Sequence, residues 1–374
     1  SCCSSRLVCW AKRSVRKCEV EKMKKLNMNK TTRKNYLTYG LVIVAFVIIQ
    51  IFMGAIPATL KGMLVPICAY VIMAISLNLT VGVLGELSLG HAGFMSVGAF
   101  TGTTVAIMLQ DVVPSGGLRL LIAVVVATLF AALAGFLIGI PVLRLQGDYL
   151  AIVTLAFGEI IKSIFNNLYL GMDSKGLHAS LLSDKTNLAE DGKMLINGPM
   201  GIGGIQKIST FTAGFIMIML TLIVVFHLIN SRTGRTIMAI RDNRIAAESV
   251  GVNVTTHKMT AFVISAAMAG AAGPLFAMNY STIVANKFDF NTSILILVFV
   301  VLGGQGNMLG SIIAAAVLTI LPEALREYSD YRMLVYAILL IVMMLATNNP
   351  TIKGFLENVK NKITHKDTKE KEGV

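Results

Sequence analysis

Apolar stretches long enough to cross a bilayer recur along nearly all of this 374-residue chain. A spanning helix needs about 20 predominantly apolar residues. Such runs fall near 38–57, 62–81, 93–110, 118–140, 149–169, 211–230, 258–280, 292–303, 310–325 and 332–347. The run at 292–303 is too short for a full span and reads as a half-helix. Hydrocarbon offers no partner to a backbone N–H or C=O, so segments of this kind satisfy themselves as helices. The expected fold is all-α, a polytopic membrane protein of nine to ten transmembrane helices including broken or re-entrant segments. Composition agrees: 14% of residues are charged and 55% hydrophobic, against roughly 25% charged in soluble domains.

The net charge of +13 would suit a nucleic-acid binder, but its placement argues for a membrane. Residues 1–34 hold 11 Lys and Arg, residues 231–258 hold five, and the tail from Lys353 holds six. With Arg144, these segments fall on one side of the expected spans. The 170–210 loop falls on the other, with four Lys balanced by four acids. This is the positive-inside asymmetry. It predicts cytoplasmic N and C termini, with 170–210 outside, and no nucleic-acid partner.

Three parts are expected: a basic segment over 1–35, a transmembrane domain over 36–348 carrying a polar loop at 231–258, and a tail over 349–374. Cys2, Cys3, Cys9 and Cys18 crowd the N-terminus. Met28 opens an ordinary membrane-protein start, so 1–27 reads as an upstream extension. The rival reading is a metal-binding arm, although the spacing matches no zinc-type pair.

Charges inside a span cost at least ~2.5–3.5 kcal/mol each and survive facing protein or a water-filled path. Glu86 with His91, Glu159 with Lys162, and Glu323 with Arg326 are such pairs. Glu159 and Lys162 share a helix face and read as a structural intramembrane ion pair or, alternatively, a ligand site. The segment "VGVLGELSLGHAGFMSVGAF" differs, because Gly82, Gly85, Gly90 and Gly93 also weaken its backbone. Irregular backbone at membrane depth is tolerated where it is buried in protein or lines a cavity. Val81–Gly93 is therefore expected to be unwound or re-entrant. A second interruption, "VLGGQGNMLGS" over Val301–Ser311, lies between two short apolar runs. Paired interruptions in the two halves of a chain point to a translocation path; the alternative is tight small-residue packing. The path candidates are Glu86, Ser88, Gly90, His91, Gly303, Gly304, Gln305 and Asn307. The pairing suits a permease core resembling inverted repeats.

Over Ser231–Lys258 the chain is too polar to insert. Ile237–Val250 is expected to be one short helix stopped by Gly251. Arg241, Arg244 and Glu248 would lie on one side, and Met238, Ala239, Ile245, Ala246 and Val250 mostly on the other.

"AIRDNRIAAESVGVNV…K…AFVISAAMAGAAGPLFA" resembles the cytoplasmic loop and following helix of permeases from binding-protein-dependent ABC importers. "LNLTVGVLGELSLGHAGFMSVGAF", "GDYLAIVTLAFGEIIKSIFNN" and "LILVFVVLGGQGNMLGSIIAAAVLTILPEALR" are similar to further blocks of that family, in its LivM-type branched-chain amino acid group. The resemblance covers about Ile43 to Gly354. It implies that the loop is a coupling helix docking on a cytoplasmic ATPase, with Arg241, Arg244, Ala246, Ala247, Glu248 and Gly251 at the contact. It implies a homologous permease subunit, two ABC ATPase subunits and an extracytoplasmic solute-binding protein as partners, in a bacterial-type inner membrane. Two positions depart from the family pattern: Arg244 stands where an acid is frequent, and Glu86 where Gln is.

No G-x-x-x-x-G-K-[ST] phosphate loop is present, so ATP is expected to be used by partner subunits and no cofactor bound directly. Ser88 and His91 lack an identifiable orienting group, and no HExxH spacing occurs; no catalytic or metal residues are assigned. The expected function is a permease subunit passing branched-chain or other hydrophobic amino acids inward. Alternatives are urea, amides, ribose or nucleosides as cargo, or an ion-coupled secondary transporter.

Overall fold

The computed structural model describes residues 35–54, 57–110, 112–145, 147–173, 176–181, 193–324, 337–338 and 341. Expectations about the cysteine-rich segment, Arg326, most of the 332–347 run and the tail from 349 lie outside the described residues. Residues 1–57 and 58–374 form two separate units. Of the first, α1 (Asn35–Phe52) is an apolar helix of span length.

The second unit is built from α2 (Ala58–Asn78), α3 (His91–Met108), α4 (Gly116–Val142), α5 (Asp148–Asn166), α6 (Phe211–Asn230), α7 (Arg232–Asp242), α8 (Arg244–Ser249), α9 (Val254–Ala277), α10 (Phe290–Gly303) and α11 (Met308–Ala324). With α1, six described helices are long and apolar enough to cross a membrane: α1, α2, α4, α5, α6 and α9. The 18-residue α3 is a more polar helix, carrying His91, Ser96, Thr101, Thr103 and Thr104. The expected half-helix is α10, at 14 residues.

Burial divides these helices into a centre and a rim. Of the apolar window of α2, 89% is buried, against 17% for α5. α2, α3 and α9 are the centre, whereas α4, α5 and α6 turn Leu129, Phe136, Ile152, Ile160, Ile216 and Leu220 outward. In lipid no hydrophobic force pulls helices together, so small residues that allow close approach carry the packing. A methyl added at Gly98 would overlap the Gly270 carbonyl, and one at Gly273 would overlap the backbone of α3 at Ala99.

The 170–210 region is not plain loop. Strands β1 (Leu168–Asp173), β2 (Gly176–Leu181) and β3 (Lys193–Asn197) form an antiparallel sheet in the order β2-β1-β3, with a register shift at Leu170/Gly171. β4 (Ile202–Gly203) pairs with β5 (Thr282–Ile283). An all-helix reading of the span pattern passes over β1, β2 and β3, because apolar runs of five or six residues are too short for periodicity to tell strand from helix. Asn166–Asn286 and Arg119–Gln206 hydrogen bonds gather the same end of the bundle.

Candidate functional site

At the opposite end the chain breaks twice, and the two breaks touch. α2 continues as a π-helical turn over Leu79–Leu84, then Gly85 at φ 81° ends it and the chain runs irregularly to Gly90 before α3 begins. The second break is a tight turn between α10 and α11, where Gly304 and Gly306 sit at φ 90° and 80°, a region costly for any residue with a Cβ. The expected Val81–Gly93 interruption is thus narrower, and its last residues are the first turn of α3.

Asn78 joins the two breaks. Fully buried at the end of α2, it accepts the Gly306 N–H at 2.8 Å and donates to Ser311 Oγ at 2.8 Å. Gly82 lies against both groups; a Cβ there would overlap Asn78 Oδ1 and the Gly306 nitrogen. Asn78 was not among the sequence candidates. Its signal is a lone amide four residues before Gly82 in an apolar run, where an unpaired polar group would be costly.

Glu86 and His91 do not pair with each other. Glu86 Oε1 accepts from Lys258 Nζ, on the second turn of α9, and both side chains are largely buried. Counting Lys258 with the loop cations hid this partner. His91 Nε2 lies 3.0 Å from Ser76 Oγ and 3.2 Å from Ser265 Oγ, tying α3 to α2 and α9. Ser88 Oγ has no hydrogen-bond partner among the described residues, nor do Glu86 Oε2 and His91 Nδ1. Ser88 therefore makes no nucleophile–base contact with His91.

The glycines at the break permit backbone contact. A methyl on Gly90 would overlap the Thr154 carbonyl of α5, and Gly93 faces Gly158. Leu89 N–H donates to Thr154 Oγ1 at 3.1 Å, and Ala92 N–H to Ser293 Oγ of α10 at 3.3 Å. In the second break, Gly303 packs on the backbone of Gly310 and Ser311, while Gln305 and Asn307 are exposed at its surface. Glu159 and Lys162 form an ion pair one turn apart on α5, partly exposed.

The polar loop is two helices rather than one. Ser231, Asn243 and Asn253 cap α7, α8 and α9 by accepting the N–H three residues on. Asn243 is the residue that splits the expected helix, because its cap needs extended backbone (φ −156°). Ile240, Ala247 and Val254 pack together with Val252 against them. The buried side is thus Ile237, Ile240 and Ala247, whereas Ile245 and Val250 project to solvent, with Ala246, Glu248 and Gly251 also exposed. Arg244 pairs with Glu248 at 2.9 Å. The Arg241 side chain stays 41% exposed, and its Nη1 donates to the Gly82 carbonyl at 2.7 Å.

Residues 59–347 match the family profile described as branched-chain amino acid transport system / permease component. The chain belongs to that family. Within it, this permease-family chain is 36% identical over 286 residues to the high-affinity branched-chain amino acid transport system permease protein LivM of Salmonella typhimurium, covering 74% of this chain and 66% of that protein. A probable LivM of Methanocaldococcus jannaschii is 24% identical over 278 residues, 64% of this chain and 74% of that one. LivH of Escherichia coli, a permease of the same named system, is 25% identical over 293 residues, 74% of this chain and 88% of that one. The matched part spans just under two thirds of the Salmonella protein's length. No solved structure matches the chain significantly.

Proposed function

We propose that this chain is a membrane-spanning permease subunit of an ATP-driven importer that passes branched-chain or other hydrophobic amino acids to the cytoplasm. The observation that carries the reading is the contact of the two backbone breaks through Asn78 in a chain of this permease family. Paired helix breaks in the two halves of a chain are where transporters place their paths. The path runs beside Glu86, Ser88, Gly90, His91 and the Gly303–Asn307 turn. An apolar conduit with few charged side chains suits a cargo that must be released, with affinity supplied by a separate binding protein.

The α7–α8 unit serves as the coupling surface, with Ile245, Val250, Ala246, Glu248 and Gly251 offered to an ABC ATPase subunit. ATP is used there and not by this chain. A homologous permease subunit, two such ATPases and an extracytoplasmic binding protein complete the assembly. The loop end and both termini face the cytoplasm of a bacterial-type cell, by the positive-inside rule. Sugar cargo is less well supported: the fructose import permease relative of Bifidobacterium longum, matched over 67% of this chain, is 23% identical, against 36% for the Salmonella LivM.

The test is leucine uptake into proteoliposomes with and without the ATPase subunits and the binding protein. Uptake that needs both, and ATP, is expected. Uptake by this chain alone without ATP refutes the reading in favour of secondary transport.

A further inference from the structure

We infer that Arg241 is a positioning residue that ties the loop helices to the first break, so that displacement of the loop is delivered to the path at Gly82. This rests on the permease reading above, and assigns Arg241 a role inside the subunit rather than at the ATPase contact.

The connection is built from three observations. First, the guanidinium reaches across the fold: Arg241 sits in the last turn of α7, and its Nη1 donates to Gly82 O at 2.7 Å, 159 residues away in sequence. Gly82 lies in the π-helical turn that ends α2, where the final carbonyls have no onward helical N–H to accept from. A helix C-terminus carries partial negative charge, so a cation there makes a charge-assisted bond. Second, the side chain is guided. Its stem crosses Gly85, where an added Cβ would overlap Arg241 Cγ, and Asp242 Oδ1 accepts from its Nε and Nη2 at 3.4 and 3.2 Å. Third, both ends of the link are anchored. α7 buries Ile237 and Ile240, and Ile240 packs with Ala247 and Val254, so α7, α8 and the start of α9 are joined through one apolar cluster. On the far side, Gly82 is in contact with Gly306 and Asn78, which holds Ser311. A push on the exposed face of α8 therefore reaches the first break through Arg241, and the second through Asn78.

The experiment uses the full importer in proteoliposomes, with leucine as probe, comparing Arg241→Ala, Arg241→Gln and Arg241→Lys with the parent chain. ATPase capture, ATP hydrolysis and leucine import are measured together, because the ratio of ATP hydrolysed to leucine imported moves only if coupling is lost. The Ala and Gln variants should capture the ATPase and hydrolyse ATP to within about twofold of the parent, while the ratio rises about tenfold, the scale of one charge-assisted hydrogen bond. Lys, whose ammonium can still reach the carbonyl, should recover most of the coupling. Gly85→Ala, which keeps the arginine but crowds its stem at Cγ and so shifts the guanidinium, should also raise the ratio. An unchanged ratio in Ala and Gln overturns the inference. Loss of ATPase capture overturns it too, by placing Arg241 at the docking contact, and failure of every variant to insert assigns it to folding. A parent assembly that imports no leucine with ATP defeats the importer reading itself, and this inference with it.

Discussion

Asn78 accepts the backbone N–H of Gly306 at 2.8 Å from the other half of the chain, and the same side chain donates to Ser311. One buried amide thus satisfies a turn that has no regular partner. Asn78→Leu should remove the hydrogen bonds to the Gly306 N–H and Ser311 Oγ, each worth about 0.5–1.5 kcal/mol. A lowered thermal midpoint in detergent, with import lost, is the expected result. Normal stability and import would show that the two breaks hold together without it.

Glu86 and Lys258 form a largely buried ion pair between the first break and α9. Removing one partner of such a pair costs about 3–5 kcal/mol, whereas replacing both by neutral groups can be nearly neutral. Lys258→Met alone should destabilise the protein strongly, and Lys258→Met with Glu86→Gln should recover most of the loss. A double-mutant cycle of thermal or denaturant midpoints checks this; strictly additive effects would remove the pair from the account.

Gly90 touches the Thr154 carbonyl with no room for a methyl, while nothing lies within 4 Å of the corresponding position at Gly117 in α4. Overpacking costs about 1–3 kcal/mol. Gly117→Ala, in a helix, should gain up to ~1 kcal/mol. Opposite shifts in midpoint are expected for Gly90→Ala and Gly117→Ala. Gly90→Leu should abolish import. Equal tolerance at both glycines would mean that the contact with α5 is not tight.

Ile245 and Val250 stand out from the loop at 77% and 79% exposure. Ile245→Asp removes apolar surface without touching the Ile240–Ala247–Val254 cluster. It should insert normally and reduce ATPase capture about tenfold, the scale of burying one large side chain at an interface. Glu248→Lys, which replaces the Arg244 partner with a like charge, should act in the same direction. Pull-down of the ATPase subunit reads both; undiminished capture would move the coupling surface elsewhere.

Much of this arrangement is legible in the chain alone. Span positions follow from apolar length, the half-helix at α10 from a run too short to cross, and both breaks from glycines among apolar residues. The loop was legible as polar and helical, but its caps at Ser231, Asn243 and Asn253 were not, and the one helix expected over Ile237–Val250 is split at Asn243. Other features were legible only as residue types. Glu86 and His91 were conspicuous, but neither partner could be named, since Lys258 and Ser265 are 172 and 174 positions away. Arg241 read as an outward-facing loop charge, because the carbonyl it meets belongs to a turn whose open end no periodicity reveals.

The sequence determined which segments are apolar enough to enter a membrane and where their helices fail, because transfer of side chains into lipid and the backbone freedom of glycine are properties of short stretches. Only the tertiary structure decided that the two failures meet at Asn78, that Glu86 answers Lys258, and that Arg241 reaches Gly82. Those pairings depend on helices approaching through small-residue contacts, and closeness in space between residues 82, 241 and 306 is set by packing rather than by any local pattern.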